Sequence, residues 1–307
     1  MKINSVQGDF RVNRLIEGIV TSLTVATETS WRLVSPITLG EVKDTAILST
    51  TTSLNQTFYI KLERPENSLT YINISFARNF DGDELTGFAS REIRCSWYKI
   101  APDLFLNETL PVKVYINFDT DSANIILQGD PAVDTVEGKN YLCTYLYMGI
   151  CEKYEDGIED TEGNFFITAG SDIRPVFVET PNFGINEGNG NIDLIAMGTR
   201  SGVPFQRHDV SINTTSPFII KNITSESKYT NKFHGSDIGI VHSTDGERGK
   251  MRNVAVMPSE ALNHTNIMIE NKGNADERQW IFFDINAPFS FINNSANPKI
   301  KIAIRRA

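Results

Sequence analysis

Between Val12 and Leu23 the apolar residues Val12, Leu15, Ile16, Ile19, Val20 and Leu23 recur three and four positions apart. That spacing lines one face of a helix. After Trp31 the period changes. Phe58, Ile60 and Leu62 alternate with Tyr59, Lys61 and Glu63, and residues 71–76 alternate again. A period of two marks a half-buried strand, so the pattern predicts an amphipathic helix followed by a run of strands.

Segments 31–34, 45–51, 57–63 and 70–76 are predicted to form an antiparallel sheet under the helix, joined by polar turns such as Pro65-Glu66-Asn67. Residues 95–99 return as a further strand. This gives a first unit over residues 1–100, and Pro102 and Pro111 bracket a connector at 101–111. The middle region, 111–180, opens on a hairpin in which Val112, Val114, Ile116 and Phe118 alternate, Asp119-Thr120-Asp121-Ser122 turns, and residues 124–127 return. The aromatic run 141–151 reads as a long strand that is either buried on both faces or lies at a contact.

Gly184, Gly188 and Gly190, interleaved with asparagines, make 183–191 a loop. Beyond it, short half-apolar pieces at 194–197, 218–223, 238–242, 254–257, 267–270, 280–285 and 299–304 predict a β-rich C-terminal domain over 190–307. The last piece interleaves lysines and arginines with Ile300, Ile302 and Ile304, as a charged edge strand would. The fold class expected is α+β and mostly β: an N-terminal amphipathic helix packed on an antiparallel sheet, followed by sandwich-like β-rich domains.

A length of 307 residues accommodates two or three cores, at roughly 100–200 residues per domain. The net charge of −9 argues against nucleic acid as a partner, because phosphate binding needs a concentrated cationic surface. The amino-terminal stretch has no apolar signal-peptide core, and no window approaches the about 18 consecutive apolar residues of a membrane span. The three cysteines, Cys95, Cys143 and Cys151, are odd in number and lack a CxxC spacing. They are expected as reduced, partly buried thiols of a protein made in the cytoplasm.

Conventional chemistry finds little foothold. The four histidines, His208, His234, His242 and His264, show no ligand spacing. No GxSxG anchors a nucleophile, and the glycines of 183–191 lack the GK[ST] of a phosphate loop. The turns 81–84 and 119–124 resemble calcium loops in composition but do not continue to the Gly and distant Glu of an EF-hand. The loop 152–162 is acidic and expected to be exposed, and its paired carboxylates say little about catalysis. No catalytic, metal or cofactor-binding residue is assigned. The aromatic clusters are the more useful clue, as core or as interface anchors, and Tyr145, Tyr147 and Trp280 are the candidates for a contact or for stacking on sugar rings.

Three stretches together resemble a tailed-bacteriophage virion protein. The first is the helix of 11–24 with Ser30-Trp31-Arg32-Leu33-Val34, Ala46-Ile47-Leu48-Ser49-Thr50-Thr51 and Thr57-Phe58-Tyr59-Ile60-Lys61-Leu62. The second is Asn124-Ile125-Ile126-Leu127-Gln128-Gly129-Asp130-Pro131 with residues 141–149 and Gly163-Asn164-Phe165-Phe166-Ile167-Thr168. The third is Asp245-Gly246-Glu247-Arg248-Gly249-Lys250-Met251 and the closing isoleucines. The resemblance implies a non-enzymatic structural subunit of a virion, in the tail or baseplate, assembled in the bacterial cytoplasm from contacts with other virion proteins in a symmetric oligomer. A receptor- or carbohydrate-binding module at the particle tip is the alternative, and a polysaccharide hydrolase a third reading.

Overall fold

The computed structural model describes residues 2–26, 28–39, 44–65, 68–86, 93–98, 107–130, 132, 141–152, 165–170, 192–196, 210–214, 238–242, 246–257, 265–269, 278–285 and 300–306. A strand, β1 (Asn4–Arg11), precedes the helix α1 (Leu15–Thr24), and a single 3₁₀ turn joins them. β1 carries only Val6 and Phe10 as apolar residues with Gly8 between them, so it has little strand signal of its own; its ladder with a distant strand forms it. The helix buries Leu15, Ile16, Ile19, Val20 and Leu23, the face that the spacing predicts.

After the helix come β2 (Arg32–Leu33), β3 (Thr38–Leu39), β4 (Asp44–Thr51), β5 (Thr57–Arg64), β6 (Tyr71–Ala77), the small hairpin β7 (Asn79–Phe80) and β8 (Leu85–Thr86), and β9 (Ile93–Ser96). Strands β2, β4, β5, β6 and β9 form one antiparallel sheet in that order, with β3 also on β4. Next follow β10 (Pro111–Phe118), β11 (Ser122–Gly129), β12 (Cys143–Ile150), β13 (Phe165–Gly170) and β14 (Ile192–Ala196). With β1 at its edge, this series makes a second antiparallel sheet, β1-β10-β11-β12-β13-β14.

These two sheets form a sandwich with α1 lying against β1, β2, β4, β5 and β10. Its core is continuous from Val12 to Ile167 and includes Trp31, Phe58, Phe76, Trp97, Val114, Phe118, Leu146 and Phe165. Segments 1–100 and 111–180 therefore share one core across the connector at 101–111, and β1 pairs with β10 along its full length.

The remaining strands are β15 (Val210–Thr214), β16 (Ile238–His242) and β17 (Gly246–Lys250), which form a three-stranded sheet, and β18 (Val254–Met257), β19 (Thr265–Ile269), β20 (Arg278–Ile285) and β21 (Ile300–Arg305), which form a four-stranded one. The order of the latter is β18-β21-β20-β19. β21 is thus an interior strand, not the edge its charges suggested, and Ile302, Ala303 and Ile304 are fully buried. One neighbour, β20, is the strand that precedes it in the chain, but the other, β18, comes from residues 254–257, so no local pattern could reveal the interior place. Among the described residues no helix is long and apolar enough to cross a membrane.

The central sheet is buried on both sides. Val112, Val114, Ile116 and Phe118 of β10, Ile125 and Leu127 of β11, and Leu146 and Met148 of β12 face the sandwich core. The alternate positions, Tyr115, Asn117, Asn124, Ile126, Tyr145 and Tyr147, are buried too. They face the C-terminal sheet: Tyr115 packs on Phe283 with ring centroids 5.3 Å apart, and the Asn117 side-chain amide donates to the Arg305 carbonyl. Of the run 141–151, the strand β12 is buried on both faces.

Candidate functional site

A polar cluster sits where the β10–β11 turn meets both neighbouring sheets. An Asp that opens a tight turn accepts hydrogen bonds from the next main-chain N–H groups. Asp119 does so: its Oδ1 accepts from the N–H of Asp121 and of Ser122, both at 2.8 Å. The turn is closed by Asp119 N–H donating to the Ser122 carbonyl at 2.9 Å. Gly149 packs against it so closely that a Cβ there would stand 2.6 Å from the Asp121 carbonyl oxygen.

The first sheet grips this turn from one side. The Trp31 indole N–H donates to the Asp119 carbonyl at 3.0 Å, and the Ser30 hydroxyl to the Thr120 carbonyl at 2.9 Å. Ser53, in the β4–β5 turn, donates its N–H to Asp121 Oδ1 at 2.7 Å and its hydroxyl to Oδ2 at 2.9 Å.

The C-terminal part grips it from the other. Arg252 and Asn253 lie in the turn ahead of β18, with Asn253 in the left-handed region at φ 59°, a conformation that Asn tolerates better than most residues. The Asn253 side-chain amide donates to Asp119 Oδ2 at 2.9 Å. Arg252 Nη2 lies 3.6 Å from Asp119 Oδ2 and 3.7 Å from Asp121 Oδ2. Asn124 donates its amide to the Arg252 carbonyl at 3.1 Å, and Arg252 N–H donates to the Tyr147 hydroxyl at 3.3 Å.

Both aspartate side chains are only 2% exposed. A carboxylate is stable at such a depth only when paired and hydrogen-bonded, and here main-chain N–H groups, hydroxyls, an amide and a guanidinium share that work. Burial pulls the Arg252 pKa down, but the neighbouring charges, Asp119 foremost, outweigh it and the net shift is upward. Burial drives the Tyr145 and Tyr147 hydroxyls well above the usual tyrosine range. The arrangement fixes charge in place and joins three segments; its acids and its rings do not face solvent.

The sequence candidates fall as follows. Tyr145 and Tyr147 are fully buried, with Tyr145 donating to Asn124 Oδ1 at 2.6 Å and Tyr147 to the Ile150 carbonyl at 2.8 Å; Trp280 is 6% exposed on β20. In this chain all three are interior residues, and both tyrosine hydroxyls donate to groups of the central sheet. In the turn 119–124, whose composition resembles a calcium loop, the cation opposite the carboxylates is Arg252. At 81–84 the exposed Asp81 caps its own turn, accepting from the N–H of Asp83 and Glu84 at 2.9 Å, and those bonds, Glu84 first, lower its pKa. Among the described residues no three potential metal ligands gather. His208, His234 and His264, the loop 183–191 and the paired carboxylates at 155–160 lie outside the described residues.

Arg252, Asn253 and Ser53 carry the junction, and sequence reading did not single them out. Their partners lie between 68 and 134 positions away, and only the Asn in a short turn between strands hinted at a special backbone. A scan against protein-family models and a search of curated proteins both return no match.

Proposed function

We propose that this chain is a non-enzymatic structural subunit of a tailed-phage virion, in the tail or baseplate, that works by protein–protein contacts in a symmetric assembly and is made in the bacterial cytoplasm. The observation that carries the non-enzymatic part is the fate of the buried charges: Asp119, Asp121 and Arg252 are all engaged in joining sheets. A general acid or base needs reach to a substrate, and carboxylates 2% exposed do not have it. The resemblance in sequence supplies the particle. A subunit repeated by symmetry multiplies weak contacts, so a rigid β scaffold suits such a role.

Tyr145, Tyr147 and Trp280 were the rings on which a sugar-binding reading rested, and their burial counts against it. The test is mass photometry of the purified full chain, alone and mixed with lysate of cells producing the other virion proteins. A discrete, larger assembly of fixed stoichiometry is the expected result. A monomer that joins nothing, together with release of sugar from host envelope polysaccharide, would replace the proposal with the hydrolase reading.

A further inference from the structure

The sandwich and the C-terminal four-stranded sheet are held by different kinds of contact. The continuous apolar core ends at Ile167, yet Val254, Trp280, Phe282, Ile302 and Ile304 are buried outside it. The described hydrogen bonds and ion pairs between the two parts join Asn117 and Asn124 to main-chain carbonyls, Arg252 N–H to Tyr147, and Arg252 with Asn253 to the two aspartates, and Tyr115 on Phe283 is the described ring contact beside them. Asn117 Oδ1, fully buried at this contact, has no hydrogen-bond partner among the described residues. Polar contacts of this kind exchange with water at small net loss, unlike an apolar core, and contacts between domains of one chain have that character.

We propose that the C-terminal sheet is a docked flap, latched to the sandwich by Arg252 and Asn253 on the β10–β11 turn, and that it opens as one cooperative unit while the sandwich stays folded. The latch is bipartite. Asp119 and Asp121 are held by the sandwich itself through Ser53, Trp31 and turn N–H groups, so that half keeps its shape when the flap leaves. Asn253 is held in its left-handed turn by contacts at both ends, its carbonyl accepting from Arg305 N–H at 3.0 Å and its amide reaching Asp119. Opening uncovers the face bearing Tyr115, Asn117, Asn124, Tyr145 and Tyr147.

Hydrogen exchange of the intact chain tests this, because sub-global openings appear as segments that exchange together below the global limit. Amides of 252–256 and 300–305 should exchange at one common rate, at least tenfold faster than those of 112–118 and 123–128. Asn253→Gly, which keeps the left-handed turn and removes the latch amide, should speed the first group about tenfold and leave 15–24 and 58–64 unchanged. Tyr147→Phe should give a smaller shift in the same segments. Equal rates for flap and sandwich in the native chain, or acceleration of every segment alike in Asn253→Gly, would overturn the latch and leave the junction an ordinary part of one core.

Discussion

The Trp31 indole donates its N–H to the main-chain carbonyl of Asp119 at 3.0 Å, tying the strand after the helix to the turn of the central hairpin across 88 positions of sequence. Both residues are buried, so nothing else replaces this bond when it is lost. Trp31→Phe keeps most of the packing and orphans the carbonyl, for an expected loss of about 1–3 kcal/mol. Trp31→Ala adds a cavity and should lose about 3–5 kcal/mol. Urea titration checks both, with the Phe variant shifting the midpoint and not the slope.

Two of the ion pairs of β5 make opposite predictions. Arg64 Nε lies 2.6 Å from Asp44 Oδ2 with both side chains 3% exposed, whereas Lys61 and Glu63 pair at 2.7 Å with side chains 30% and 15% exposed. Asp44→Ala leaves a guanidinium buried and should lose about 3–5 kcal/mol. Lys61→Ala should lose under about 1 kcal/mol. Thermal melts of the two variants side by side decide the matter, and equal losses would contradict the burial argument.

Alkaline pH should weaken the fold in a way that Cys95 helps to set. Burial raises the Cys95 thiol to about 12 from an ordinary value of 9.0, even though its contact with the Thr144 hydroxyl pulls the other way. Because the folded value is the higher one, the stabilising difference is fully present below pH 9.0, where thiols of both states hold their protons. Above that the unfolded state loses its proton first, and stability falls by about 1.4 kcal/mol per pH unit until the folded thiol ionises as well. Tyr145 and Tyr147, raised by burial, act in the same direction at still higher pH. Cys95→Ala should flatten the pH 9–12 part of a stability profile relative to its own neutral value, and native Cys95 should resist thiol reagents until the protein is denatured.

Two glycines separate crowding from backbone strain. A Cβ on Gly149 would meet the Asp121 carbonyl at 2.6 Å and Ser122 at 2.7 Å, beside main chain that the junction holds rigid. A Cβ on Gly82 meets nothing within 4 Å, and only its φ of +109° resists substitution. Gly149→Ala should therefore lose more, about 1–3 kcal/mol or beyond, and it should loosen the β10–β11 turn. Gly82→Ala should lose about 1 kcal/mol with every other property intact. Hydrogen exchange at 119–123 distinguishes the two.

Much of this architecture is written locally. The helical face from Val12 to Leu23, the alternation in β5 and β10, and the Asp-rich hairpin turn appear in the structure where the sequence puts them, because each follows from neighbours within a few positions. β1 and the interior place of β21 are written elsewhere, in the strands that pair with them. The junction was legible only in half. Asp119 and Asp121 stand out as turn residues, but their meaning as buried charges depends on Arg252, and no period or motif links residues so far apart.

Tyr145 and Tyr147 bring that distinction to a measurement. Two positions apart on β12, they point to the same face and look alike in the sequence, yet their hydroxyls have different duties. Tyr145 donates within the central sheet, to Asn124 Oδ1 at 2.6 Å, while Tyr147 donates to the Ile150 carbonyl and also accepts Arg252 N–H from the C-terminal part. Replacing either by Phe keeps the ring and leaves a partner unmet, so each should lose about 1–3 kcal/mol. Their coupling to Arg252→Met should differ. The bond from Arg252 to Tyr147 comes from its main-chain N–H and survives Arg252→Met, so the double-mutant cycle reads the guanidinium charge acting on the Tyr147 hydroxyl. An interaction of about 0.5–3 kcal/mol is expected with Tyr147→Phe and a weaker one with Tyr145→Phe, whose hydroxyl bonds Asn124. Equal coupling of both tyrosines would mean that the face responds as a single packed layer, not through the charge of Arg252 on Tyr147.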